Sequence, residues 1–319
     1  MKSACAAFLA FAVCGISASA SFDAWLAAHP RRYGDASAYA YRREIFAANE
    51  ALVSAANADG AATSTLELNE FADFTEAEFA AVVSAGASAG GVAPPPPPPP
   101  PPVPPPVSAL PASVDWQQAG VVTPVPSSGA CGGAGAAAAF IGAVESAWAI
   151  ATGALRPLGT AQALACGCGG CGCALPALYA WAKAAGLTAA FNGSCAYVPD
   201  VRVAAEVRVC AGSEDALLAA LAQQPVIVAV NASSPAFRFY KAGVLSATSC
   251  GAAPSATLLA VGYGATPAGL PFYRLRNAWG SAWGEAGYVR LARGAEYNPD
   301  GQCGVQLSPN FPIVAPMIG

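Results

Sequence analysis

Apolar residues recur at Ile45, Phe46, Leu52 and Val53, with Tyr41 and Trp25 upstream, near the period of one helical face. Leu66-x-Leu68 has the two-residue period of a strand and runs into Phe71 and Phe74. Thr75 with Glu78 three residues on is a capping-box pattern, so a further helix is expected to begin there. These patterns predict a small helical unit over 21–80. In the second half, 136–151 and 175–185 are Ala-rich and predict helices. Segments after Gln224 are rich in Val, Ile and Tyr, alternate, and are bounded by Gly and Pro. That pattern predicts strands.

Two apolar runs raise the question of a membrane. Lys2 precedes a short one over 4–16, and Ala18-Ser19-Ala20 has the small-x-small form of a cleavage site. Residues 1–20 are therefore expected to be a secretory signal, too short to span a bilayer. The second run, 134–155, carries Glu145 in its middle and reads as a buried helix of a soluble domain. No membrane attachment is expected once the signal is removed. The clearest seam is 94–106, twelve prolines and one valine, which predicts extended polyproline helix at about 3.1 Å per residue. With the Ala/Gly/Ser-rich sequence leading into it, 81–107 is a linker, and 108–319 is the second globular part. The 319 residues carry 15 basic and 19 acidic side chains, 11% charged against 55% hydrophobic. That balance excludes a nucleic-acid binder working through net charge and a charge-rich disordered chain. Residues 21–107 hold 4 basic and 10 acidic side chains, whereas 108–319 hold 10 and 9, so the N-terminal unit is the acidic one.

Of the eleven cysteines, Cys5 and Cys14 fall in the signal and nine lie beyond residue 130. An oxidising compartment with a disulfide framework is expected, the odd count leaving at least one thiol over. Asn192-Gly193-Ser194 and Asn231-Ala232-Ser233 are glycosylation sequons. The chain has one histidine, His29, which excludes any site needing two. The CGCGGCGC run around Cys171 has no histidine nearby, and neither a metal nor a cofactor is expected.

Several phrases go beyond general pattern. Phe22-x-x-Trp25, His29, Tyr33, Arg42, Phe46, Asn49, Val53 and Asn57 resemble the inhibitory prosegment of papain-family, cathepsin L-like cysteine proteases, with Ala38 where that family has Glu. Asn69-x-Phe71-x-Asp73 with Thr75 and Glu78-Phe79 resembles the family's next motif. Leu110-Pro111, Val114-Asp115-Trp116, Val261-Gly262-Tyr263-Gly264, Asn277-Ala278-Trp279-Gly280, Trp283-Gly284-Glu285 and Cys303-Gly304 follow in the family's order. The resemblance implies an α+β, papain-like two-lobed fold, a helical left lobe and a β-rich right lobe, preceded by a helical inhibitory prodomain. It implies disulfides of Cys131 with one of Cys168, Cys171 and Cys173 (taken as Cys171), of Cys166 with Cys195, and of Cys250 with Cys303.

In that family a Cys at a helix N-terminus attacks the peptide carbonyl, a His takes its proton, an Asn orients the His, and a Gln helps form the oxyanion hole. Here Ala134 falls on the nucleophile, Ala256 on the histidine, Ser128 on the oxyanion Gln, and Asn277 alone is kept. Trp279 and Trp283 are expected along the cleft. The resemblance thus implies a secreted peptidase homologue without its chemistry, destined for the extracellular space or a lysosome or vacuole. It is expected to be a monomer that binds its own prosegment and a peptide, protein or protease inhibitor in the cleft. Two alternatives stay open: an active cysteine endopeptidase using another nucleophile or a differently read sequence, and a protein whose working part is the proline spacer.

Overall fold

The structure is a computed structural model and describes residues 21–84, 109–126, 134–170, 172, 174–246, 250–294 and 300–316. The expected signal over 1–20, residues 85–107 of the expected linker, Ser128, Cys131 and Cys171 lie outside these residues, while 81–84 of that linker are the end of a helix. The N-terminal unit holds α1 (residues 21–28), α2 (Ala36–Ala58), β1 (Ser64–Leu66) and α3 (Glu76–Ser84). Asp35 caps α2 by accepting from the Ala38 amide at 2.8 Å. The apolar stripe of α2, Phe46 and Val53, closes on Phe22 and Trp25 from α1 and on Leu66. Its polar stripe holds the returning chain. Asn49 donates to the carbonyls of Ala72 and Phe74, Asn57 exchanges two bonds with Leu66, and Arg42 grips Glu78 through both guanidinium nitrogens at 2.7 and 2.8 Å. Thr75 and Glu78 cap each other at the head of α3, as their spacing predicts.

The larger part has two layers of different character. β2 (Val114–Asp115) leads to the helical side, α4 (Ala134–Thr152), α5 (Thr160–Gln162) continuing into a π-helical turn over Ala163–Cys168, and α6 (Leu175–Ala185). α4 is apolar apart from Glu145, Ser146 and the terminal Thr152 and is buried almost throughout, as a core helix must be. Phe140, Ile141 and Val144 on α4 meet Leu178 and Tyr179 of α6 and Ile227 and Leu259 of the sheet. The remaining elements are β3 (Val201–Arg208), α7 (Glu214–Leu221), β4 (Val226–Val230), α8 (Pro235–Arg238), β5 (Tyr240–Leu245), β6 (Ala256–Ala265), β7 (Pro271–Arg276), β8 (Tyr288–Ala292) and β9 (Asn310–Pro316). The sheet runs β1-β5-β8-β7-β6-β4-β9-β3, with β2 added to β6. Its pairs are antiparallel except β5 with β8. Gly262 makes the β2 crossing possible, since a Cβ there would lie 2.0 Å from the Val114 carbonyl oxygen.

The strands thus begin earlier than the sequence pattern suggests. β3 precedes Gln224 and pairs with the C-terminal β9. α7 is capped by Ser213, which accepts from the Ala216 amide, a start signal visible in Ser213-Glu214-Asp215. Two of the implied disulfides form, Cys166–Cys195 and Cys250–Cys303. Cys168 is disulfide-bonded as well, and Cys210 is an exposed free thiol among the described residues.

Candidate functional site

Ala134 is the first residue of α4 and is 3% exposed. Ala256 is the first residue of β6. The helix head and the strand abut, because a Cβ on Gly135 would lie 3.3 Å from the Thr257 carbonyl oxygen. β6 and β7 run side by side with Leu259 opposite Arg276. Asn277, one residue beyond β7, therefore stands at the same end of the strand pair as Ala256. Three of the positions singled out in the sequence converge at one place where the two layers meet.

A buried charge holds that place together. Arg276, next to Asn277, crosses from the sheet to α4 and donates to the Thr123 carbonyl and hydroxyl at 2.9 Å each and to the Ala138 carbonyl at 3.1 Å. The Thr123 hydroxyl in turn donates a hydrogen bond to Glu145 at 2.6 Å, and Glu145 also accepts from the Leu158 amide. Burial pushes the Glu145 carboxyl up and the Arg276 guanidinium down from their ordinary values. Gly142 leaves the passage open, for a Cβ there would fall 1.9 Å from an Arg276 Nη. The helix head is thus fixed to the strand that carries Asn277.

Among the described residues, the groups that reach the junction are poor in chemistry. Alanine methyl groups neither attack a carbonyl nor accept a proton. Asn277 is 4% exposed, and its Oδ1 accepts from the Ala278 amide at 2.8 Å. That contact fixes the carboxamide, since the opposite orientation would set two donors against each other. Nδ2 is then left buried and without a partner. His29, the single histidine, is in the prosegment-like unit, stacked on Trp25 at 5.1 Å between ring centroids. Trp279 is half-buried and meets Phe237 and Trp283 edge-on. Trp283, expected along the cleft, is instead a core side chain, 1% exposed, its Nε1 donating to the Arg238 carbonyl.

The N-terminal unit is clamped beside this junction. β1 pairs with β5, and the Glu67 amide donates to the Phe239 carbonyl at 2.8 Å. Asn69 donates to the Arg238 carbonyl at 2.7 Å. The Arg238 guanidinium, buried under the unit, donates to the carbonyls of Phe71 and Phe74 and lies against the rings of Phe79 and Phe239. Burial lowers its pKa to about 10, which keeps it a cation at neutral and acid pH. Phe71 and Phe79 then stack edge-on to Trp279 at 5.5 and 5.6 Å. Sequence reading singled out Phe71, Phe79 and Trp279 but missed Arg238 and Arg276. Their only local signal is an arginine within an apolar run.

A helical unit that adds a strand and an aromatic clamp to a two-lobed α+β domain, beside a helix head facing a strand, has the build of a cysteine protease proform. The chain belongs to the papain family: residues 110–313 match the papain family cysteine protease model, and residues 22–79 match the cathepsin propeptide inhibitor domain. It is 33% identical over 310 residues to a senescence-specific cysteine protease, SAG39, of Oryza sativa subsp. japonica, covering 92% of this chain and 90% of that protein. Fruit bromelain of Ananas comosus is 31% identical over 315 residues, with 92% and 86% covered. Among solved structures, a recombinant stem bromelain precursor superimposes with a TM-score of 0.80 at 30% identity, covering 93% of this chain and 98% of that one. The ragweed pollen cysteine protease Amb a 11, in its proform, gives 0.77 at 29% identity, with 93% and 92% covered.

Proposed function

We propose that this chain is a secreted, catalytically silent papain-like proprotein that binds rather than cleaves. The observation that carries the reading is the pair of alanines at the meeting point of the lobes, Ala134 at the head of α4 and Ala256 at the head of β6. The single histidine lies far from that point in sequence and packs inside the prosegment. Loss of a nucleophile and base that act as a unit lowers turnover roughly a million-fold, about 8 kcal/mol of barrier. Ser128 in place of a longer amide donor weakens any oxyanion hole further.

In this reading the chain has a signal over 1–20, a prosegment over 21–80, a linker over 81–107 and a papain-like domain over 108–319. It is a monomer of the extracellular space or of a lysosome or vacuole. Its occupants are its own prosegment first, then peptides or protease inhibitors that compete for the cleft, without a cofactor. A chain that does not cleave itself keeps its prosegment unless another protease removes it.

The test uses the secreted full chain and a sample from which a second protease has removed the prosegment. Both are incubated with broad fluorogenic peptides from pH 4 to 8 and with a thiol-trapping epoxide, then weighed intact. No turnover and no adduct is expected, together with binding of a cystatin-type inhibitor only after prosegment removal. Turnover abolished by the epoxide, with one cysteine labelled, would overturn the reading.

A further inference from the structure

We propose that Asn192, and not Asn231, is an N-linked glycosylation site. The proposal rests on the secretory reading above. Both sequons have the same chemistry in sequence, and the fold separates them. Asn192, Gly193 and Ser194 are all exposed on the loop that joins α6 to β3. The base of that loop is closed by a two-bond bridge between Leu187 and Val201 and by Asp200, which accepts from the Thr188 hydroxyl and the Ala189 amide. Cys195, next to the sequon, is tied to Cys166. The tripeptide is therefore carried on an anchored projection. Asn192 Oδ1 accepts from the Ser194 amide at 3.1 Å, and Asn231 Oδ1 accepts from the Ser233 amide at 3.0 Å, so the two sequons share a local turn and differ in their surroundings. A Cβ added to Gly193 would meet nothing within 4 Å, so the space around the sequon is open. Val198, 84% exposed, lies on the same loop and is the most exposed large apolar side chain among the described residues. A hydrated glycan suits such a surface, because it is bulky and solubilising.

Asn231 stands in the opposite situation. Its amide donates to the Cys303 carbonyl at 2.8 Å, and the next residue, Ala232, is buried with its amide on Ser255 Oγ at 2.9 Å. Its Nδ2 lies 3.2 Å from where a Cβ on Gly251 would sit, so the amide faces the Gly251 segment and not open space. Cys250 and Cys303, bonded to each other, enclose the same segment. A glycan on half-buried Asn231 would crowd the segment that this bridge encloses.

The donor is a lipid pyrophosphate-linked oligosaccharide. Asn192 Nδ2 attacks the anomeric carbon, the bond from that carbon to the pyrophosphate oxygen breaks, and the pyrophosphate leaves with the electron pair. Nδ2 gives up one proton, and nothing is oxidised or reduced. The experiment expresses the full chain in a glycosylating secretion host, once with its own leader and once behind a heterologous secretory leader. Peptide N-glycosidase treatment in heavy-oxygen water is followed by peptide mapping. Expected are labelled aspartate at 192 in most of the secreted chain and none at 231. Asn192→Gln and Ser194→Ala should each abolish the mobility shift, and Asn231→Gln should leave it. Chain secreted behind the heterologous leader but bare at 192, or occupied at 231, overturns the proposal. Retention inside the cell with the native leader, with 192 occupied behind the heterologous one, refutes the secretory reading and leaves the assignment of Asn192 standing.

Discussion

Arg238 is the side chain on which the prosegment contact turns, and its replacement tests that account. The residue is 3% exposed, and its guanidinium donates to the Phe71 carbonyl and, at 2.6 Å, to the Phe74 carbonyl, and lies 5.1 and 4.4 Å from the Phe79 and Phe239 ring centres. Hydrogen bonds to a charged group contribute about 1.5–3 kcal/mol each, so the pair is worth about 3–6 kcal/mol before desolvation is counted. Desolvation counts against it, since Arg238 Nε has no partner and the buried cation has a lowered pKa. Arg238→Met removes the desolvation cost and keeps the packing, but it leaves two carbonyls without donors. A net loss of about 3 kcal/mol follows. Arg238→Ala adds a cavity and should cost about 5 kcal/mol. Urea unfolding of the full chain reads the energies. Hydrogen exchange reads the place, with amides of β1 and α3 losing protection first. If both variants stay within about 1 kcal/mol of the parent and Ser64–Leu66 keeps its protection, Arg238 is not the anchor.

Ala134→Cys, Ala256→His and Ser128→Gln combined should produce epoxide labelling and measurable peptide turnover once the prosegment is removed, while each change alone produces no turnover; a silent triple variant that folds would show that the junction no longer has papain geometry. Glu78, held down to about pKa 2 chiefly by its Arg42 pair, contributes stability that is complete above about pH 4.5 and fades as pH falls toward 2. Glu78→Gln should therefore flatten the stability–pH curve in that window, and an unchanged curve would discount the pair. Gly142→Ala drives a methyl into Arg276, so a loss near the top of the overpacking range, about 3 kcal/mol, is expected by thermal unfolding, and a neutral result would mean that Arg276 has another path. Replacing Cys250 and Cys303 by Ser opens a link that spans 53 residues, for a loss of about 4 kcal/mol in denaturant unfolding on the chain-entropy account.

What the sequence made legible was local. The α2 stripe, the Thr75–Glu78 cap and the Ala-rich run of α4 each declare themselves through near neighbours, and all appear where the pattern puts them. β3 escaped because Val201–Arg208 mixes arginine and glutamate into its alternation, and its partner β9 lies about a hundred residues away. Trp283 reads as a cleft residue by its place in a motif, but the ring stacks on Phe237, lies tilted against Tyr240 and is sealed in the core. The alanines at 134 and 256 are legible only through the resemblance, since nothing about an alanine signals a site. That they meet is a tertiary fact, set by Gly135 against Thr257 and by Arg276 crossing through the gap at Gly142. The two buried arginines escape sequence reading because each bonds mainly to backbone carbonyls of distant segments, and a carbonyl leaves no trace in composition.

The pairing of β1 with β5 has a colloidal consequence. β5 is the outermost strand that the papain-like domain itself supplies at that end of the sheet, and β1 covers it. Gly243, at φ +94°, lets the Thr63–Ser64 backbone press so close that a side chain would not fit. Stripping the N-terminal unit would bare the amides and carbonyls of Tyr240–Leu245 to any neighbouring chain, and such a row is a template for intermolecular strand pairing. While it stays attached, the N-terminal unit therefore acts as a solubility device. At high concentration the cleaved form should self-associate through this edge, and the intact form should stay dispersed.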